Sequence, residues 1–202
     1  MAKATKKIIE IPAVEWSRVN LMLRGINPLI VNNFDEKTKQ QMADKQQGTA
    51  RNKKAPKDPK DCYERARLRD GRGRDCVAAL WIKCAGVKAA RYVDGLKMTE
   101  LRGAFYVEDN LLPIKFKKLR MRCDSVRNQG GVADLRYRPE YTDWSVDITV
   151  RFRPDMITPD SLVNLLNNAG QSIGLCERRP GQNGDTFGMF EVQMQKRTRK
   201  AA

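Results

Sequence analysis

At 202 residues the chain can bury one sizeable core, and its 39 Lys+Arg against 24 Asp+Glu leave a net charge of +15. That excess points to an anionic partner, nucleic acid before all others, because no apolar run approaches the ~18 residues that span a bilayer and no long helix offers a basic face to a membrane surface. The chain has no histidine, which removes Ser-His-Asp and Cys-His nucleophiles, the HExxH metal site and the histidine general base.

Residues 1–16 read as a basic N-terminal tail. Met1 to Lys7 is cationic but no apolar stretch follows, so no signal peptide is expected. From Ser17 to Arg24, Val19, Leu21 and Leu23 alternate with Arg18, Asn20, Met22 and Arg24, which predicts a strand closed by Gly25-Ile26-Asn27-Pro28 and followed by the apolar Leu29-Ile30-Val31. An insertion over 32–70 then breaks the core pattern. Asp35 caps a helix reaching about Gln47 that has almost no apolar face, Gly48 to Pro59 reads as a flexible linker, and Lys60 to Leu68 forms a second short helix. Between Arg51 and Arg74 stand ten Lys/Arg and four Asp/Glu, a net +6. That stretch is either a solvated insertion or a basic flap over a ligand.

Asp75 is expected to cap a helix over Cys76 to Ala90 with Val77, Leu80, Trp81, Cys84 and Val87 as its buried stripe. Strands at Ala104–Val107 and Leu111–Phe116, joined by Glu108-Asp109-Asn110, read as a hairpin. An excursion over 115–143 follows. Its first arm carries Lys115, Lys117, Lys118, Arg120 and Arg122 on one strand face, Arg127 opens the glycine turn at Gly130-Gly131, and the second arm interleaves Arg136, Tyr137 and Arg138. Guanidinium for phosphate and ring for base is what a single strand asks for. A strand pair bridged to Asp124, Asp134, Glu140 and Asp143 is the other reading of the same residues, and the two stay open here.

Val146 to Arg153 alternates strictly and reads as a half-buried strand. Thr158-Pro159-Asp160 starts a helix that buries Leu162, Leu165, Leu166 and Ala169 and stops at Gly170. The loop Glu177 to Asp185 is either a surface turn or a phosphate cradle built from backbone N–H groups with Arg178 and Arg179. A strand over Phe187–Met194 and a basic tail at 196–202 complete the chain. The five cysteines (Cys62, Cys76, Cys84, Cys123, Cys176) lack any C-x-x-C spacing and read as reduced thiols of a cytoplasmic protein. No metal site, no cofactor loop and no catalytic residue is expected. A nuclease using Asp124, Asp134 and Asp143 with a metal is the enzyme reading that survives, and a structural or inhibitory protein gripping an acidic partner is the other competitor.

Stripped of its insertion and excursion, the order is β-α-β-β-α-β, which predicts one α+β domain over 17–195 of ferredoxin-like type. The Gly25-x-x-Pro28-Leu29 segment, the helix after a Gly/Arg loop and the Arg178-Arg179-Pro180-Gly181-x-x-Gly184…Phe187-Gly188-Met189-Phe190 ending resemble the RAMP superfamily, the RRM-like backbone subunits of CRISPR effector complexes. Asn27-Pro28-Leu29-Ile30-Val31, Asp134 to Pro139, Ile157 to Gly170 and Phe187 to Phe190 are similar to a family of tailed-phage proteins. The RAMP resemblance implies a sheet and protruding hairpin that grip single-stranded RNA or DNA, subunits stacked head to tail into a filament, and Lys115 to Arg138 as the protruding element. RNA-cleaving RAMP members often use a histidine, so the resemblance implies binding rather than cleavage. A phage-encoded chain would work in the host cytoplasm.

Overall fold

The computed structural model describes residues 12–48, 56–127, 131 and 133–195. The tails, the centre of the predicted linker and the tip of the predicted hairpin lie outside the described residues. In chain order the elements are β1 (Ser17–Gly25), β2 (Leu29–Ile30), α1 (Glu36–Gln46), α2 (Pro59–Ala66), β3 (Cys76–Ala78), α3 (Ala79–Ala89), α4 (Met98–Ala104), β4 (Phe105–Val107) and β5 (Leu111–Pro113). They continue with β6 (Lys118–Arg127), β7 (Ala133–Thr142), β8 (Ser145–Phe152), α5 (Pro159–Asn168), α6 (Pro180–Asn183) and β9 (Phe190–Met194).

The main sheet runs β4-β8-β1-β9 and all its pairs are antiparallel. Alternation in β1 and β8 sends Leu21, Leu23, Val146, Ile148, Val150 and Phe152 into the core, where α3 and α5 pack together. The opposite face carries Asn20, Arg24, Thr149 and Arg151, none of them buried. β2, β7 and β6 form a second antiparallel sheet, in which β6 and β7 are one long hairpin, and β3 pairs with β5. Trp144 joins the two larger sheets: its indole donates to the Asn27 carbonyl (2.8 Å) and lies where a Cβ on Gly25 would sit, 2.2 Å from the ring.

Local signals fixed three helix starts. Asp35, Asp58 and Thr158 each accept a hydrogen bond from a first-turn amide, and Pro59 and Pro159 open their helices. Other expectations fail. Asp75 caps nothing: its buried carboxylate receives Arg67 Nε (2.8 Å) and Nη2 (2.6 Å), because Cys76–Ala78 is drawn into pairing with Leu111–Pro113 and the helix starts only at Ala79. The buried residues of α3 are Ala79, Ile82, Ala85, Gly86, Val87 and Ala89, so Val77 and Val87 are buried as expected, while Leu80 is 65 % exposed, Trp81 is half-buried and Cys84 is at the surface. Where α3 meets Phe105 and Leu166 only a small residue fits, since a Cβ on Gly86 would come within 2.8 Å of Phe105 and 3.2 Å of Leu166. β4 and β5 do not pair with each other, since Phe105 and Val107 find β8 as partner and β5 turns away to β3.

Gly170 is no helix stop. α5 runs on through a π-helical turn at Ala169–Ile173 and ends at Gly174, which takes φ 68°. Gly170 instead lets β9 approach, for its Cβ would lie 1.9 Å from the Phe190 carbonyl oxygen. No helix among the described residues is long and apolar enough to cross a membrane.

Candidate nucleic-acid interface

The β6/β7 register decides what the arginines can do. Arg120 faces Glu140, Arg122 faces Arg138, and Asp124 faces Arg136, all on one side of the hairpin. Two guanidiniums directly opposite each other repel, and here the flanking carboxylates resolve it. Arg122 donates to Asp124 (2.8 and 3.0 Å) and diagonally to Glu140 (2.8 Å), and Arg138 donates to Asp124 (2.8 Å). Arg120 reaches Glu140 at 2.7 Å.

The loop after α5 completes the cluster. Arg178, held at φ 55°, donates to Asp124 (2.9 Å) and Asp185 (2.9 Å), and Glu177 accepts from Arg138 (3.0 Å). Phe187 lies under two guanidiniums, 4.7 Å from Arg122 and 5.4 Å from Arg178. Four arginines (120, 122, 138, 178) thus meet four carboxylates (124, 140, 177, 185), and Asp124, Arg138 and Glu140 are buried. Burial works to raise the Asp124 pKa, but the hydrogen bonds and charges of Arg122 and Arg138 outweigh it and hold the carboxyl below the usual range.

Of the open alternatives for this excursion, the bridged strand pair describes Arg120, Arg122 and Arg138, through Asp124 and Glu140, while Asp134 takes Lys57 instead and no bridge to Asp143 occurs among the described residues. Glu177, Asp185 and Phe187 are the partners that sequence reasoning missed. The signal was present in the acids flanking Arg178 and in the aromatic two residues after Asp185. The Glu177–Asp185 loop uses part of its polar groups to bond its own and neighbouring backbone. The Gly184 and Gly188 amides are spent on the Pro180 (3.2 Å) and Pro28 (2.8 Å) carbonyls, Pro180–Asn183 closes into a helical turn, and Arg179 donates to the Cys176 carbonyl (2.5 Å) and to Gln182 (3.2 Å).

The remaining predicted cations divide. Lys115 lies before the strand, which starts at Lys118, and bonds Asp147 (2.5 Å) while its backbone bridges to Ser145. Lys117, Lys118 and Arg127 are exposed, and with the half-buried Arg136 they have no carboxylate partner among the described residues. Arg136 and Tyr137 line a cleft of about 300 Å³ between the hairpin and the insertion, together with Asp35, Lys57 and Arg65. Lys57 closes it by reaching the Asp134 carboxylate and the Leu135 carbonyl (3.1 Å). The insertion is itself pinned: Arg65 donates to Asp35 (2.6 and 3.2 Å) and to Thr38 (2.6 Å), and these bonds hold the Asp35 pKa well below the usual carboxylate range. Asp124 and Asp134 are each taken by cations, and no group of three or more Cys, Asp or Glu placed to hold a metal ion occurs among the described residues.

With that geometry in hand, the comparisons bear on the fold. No protein-family model and no curated protein matches the chain. Among solved structures it is similar to a chain of the Type III-B Cmr-beta bound to cognate target RNA, with TM-score 0.53 and 10 % identity over 88 % of this chain and 59 % of that one. The fold resembles that of a RAMP-type subunit. The chain spans about 59 % of the length of that Cmr-beta chain. A second match, to Cmr6 from Pyrococcus furiosus, has TM-score 0.44 and 10 % identity over 90 % of this chain and 100 % of that one. The α+β expectation holds in its coarser form: helices packed on antiparallel sheets, in a fold similar to that of the Cmr-beta chain.

Proposed function

We propose that this chain binds single-stranded nucleic acid without reading its sequence, catalyses no reaction, and assembles in copies along the strand. The observation that carries this is the division of its cations. One arginine cluster is neutralised internally and stiffens the hairpin, while Lys117, Lys118, Arg127 and Arg136 keep their charge free on the same hairpin. The cleft closed by the insertion is lined by Arg136 and by Tyr137, which the register sends to opposite faces of β7, so guanidinium and ring are offered from the two sides of that strand. The antiparallel order β4-β8-β1-β9 with α3 and α5 between its strands supports a ferredoxin-like core, with α1 and α2 as its insertion. The likeness to a chain of a complex bound to target RNA supports RNA as the strand, and the sequence resemblance supports a phage-encoded protein acting in the host cytoplasm.

The test is fluorescence anisotropy of labelled RNA and DNA strands against salt. Log affinity falls linearly with log salt at about −0.7 per phosphate neutralised. Arg136→Ala and the pair Lys117→Ala/Lys118→Ala lower affinity and flatten that slope, whereas Arg138→Ala lowers stability first. Binding that ignores salt, or cleavage of either strand on adding Mg²⁺, overturns the reading.

A further inference from the structure

α3 buries Ala79, Ile82, Ala85, Gly86, Val87 and Ala89, and the face left outward carries Leu80, Cys84 and Lys88, with Trp81 half-buried beside them. Facing its second half run the π-helical turn and the segment from Gly174 to Arg179, and between them lies a cleft of about 330 Å³ lined by Trp81, Lys88, Glu177 and Arg179 among others. Its charge is one-sided. Lys88 is exposed and has no carboxylate partner among the described residues. Among the described residues Arg179 bonds the Cys176 carbonyl and the Gln182 amide oxygen, neutral acceptors that hold the guanidinium in place without cancelling it. Glu177, the one acid on the wall, is already engaged by Arg138 (3.0 Å) and Asn32 (3.2 Å). Cys176 adds no anion, because burial pushes its thiol pKa up. The Trp81 indole makes no ring, cation or hydrogen-bond contact among the described residues.

A flat π surface beside two uncompensated cations, in a space at the small end of the roughly 300–1,000 Å³ typical of ligand clefts, fits one planar base with one phosphate. We propose that this cleft binds a single nucleotide, its base against Trp81 and its phosphate between Lys88 and Arg179. The site does not use the hairpin cations and stands whether or not the hairpin binds a strand. A free nucleoside monophosphate and the phosphorylated end of a strand offer the same chemistry.

The experiment is calorimetry and tryptophan fluorescence on the full chain with adenosine 5′-monophosphate, adenosine and inorganic phosphate. The monophosphate binds saturably and quenches fluorescence, and adenosine binds about tenfold or more weakly, the loss expected with charge-assisted hydrogen bonds. Lys88→Ala and Arg179→Ala each raise Kd about tenfold, and Trp81→Ala raises it about fivefold or more. Trp81→Phe removes the quench while calorimetric binding persists. Arg136→Ala leaves all of this unchanged, which separates the site from strand binding. Competition by a 5′-phosphorylated trinucleotide assigns the strand end, and competition only by mononucleotides assigns the free ligand. No saturable heat, adenosine binding as well as its phosphate, or a Kd indifferent to Lys88→Ala in a folded variant overturns the proposal.

Discussion

Asp124 is the residue on which the hairpin turns. Three guanidiniums, from Arg122, Arg138 and Arg178, converge on its two oxygens, and Arg138 is only 2 % exposed. Removing one partner of a buried pair leaves the other charge uncompensated, at a cost of about 3–5 kcal/mol. Asp124→Ala should therefore lower the urea midpoint by that equivalent. Asp134→Ala, which frees only the half-exposed Lys57, should cost less than about 1 kcal/mol. The same groups set an acid limit. The Asp124 and Asp35 pKa values are depressed in the folded chain, so the stability they contribute is full above the unfolded Asp value of about 3.9 and is lost as pH falls through the lower folded values. Urea midpoints should be flat from about pH 5 to 8 and fall below about pH 4, less steeply in Asp124→Ala. A chain that gains stability on acidification would contradict this.

At the scale of elements, what was legible was what is locally encoded. β1 and β8 alternate strictly, α1 and α5 announce themselves by cap and periodicity, and all four sit where the sequence places them within about two residues. What failed was decided at long range. The start of α3 moved because β3 found β5, and part of its packed face moved because Gly86 lies against Phe105 and Leu166, where a larger side chain does not fit. Whether the hairpin arginines are bridged stayed open in the sequence, because part of the cluster, Glu177 and Arg178, comes from a loop 39 and 54 residues from its partners. Glycines show the same split. Gly170 looks like a helix stop in sequence, yet the Phe190 carbonyl oxygen stands 1.9 Å from where its Cβ would go, whereas Gly103 in α4 has nothing within 4 Å. Gly170→Ala should lower the melting temperature sharply by prying β9 from the helix layer, by about 2 kcal/mol or more as for other overpacked sites. Gly103→Ala should raise it by about 0.5–1 kcal/mol through helix propensity. Equal effects would mean that close approach is not what Gly170 is for.

For the whole molecule the charge must be placed before assembly can be argued. The hairpin cluster is neutral, so the net +15 resides in the unpaired hairpin cations, the insertion and such segments as Lys196-Arg197-Thr198-Arg199-Lys200. Copies this basic repel one another until phosphates neutralise them, so the strand is a required partner of any assembly. The hairpin also has a second face. The register puts Met121, Cys123, Leu135 and Tyr137 together there, with Met121 47 % and Leu135 49 % exposed. An apolar row on an arm beside a cationic one suits an arm that holds the strand with one face and the next copy with the other. A contact of that kind is heterologous, does not close, and propagates along the strand. Sedimentation should find small species at high salt without nucleic acid, and particles that lengthen with the strand when RNA or DNA is added. Met121→Asp with Cys123→Asp, on the same face and outside the cleft lined by Arg136, should abolish the growth while leaving anisotropy on a strand of about ten nucleotides, near one module's footprint, within a factor of about two. Particles whose size ignores strand length, or growth that survives the double substitution, would remove the hairpin's second face from the assembly and leave binding by single copies.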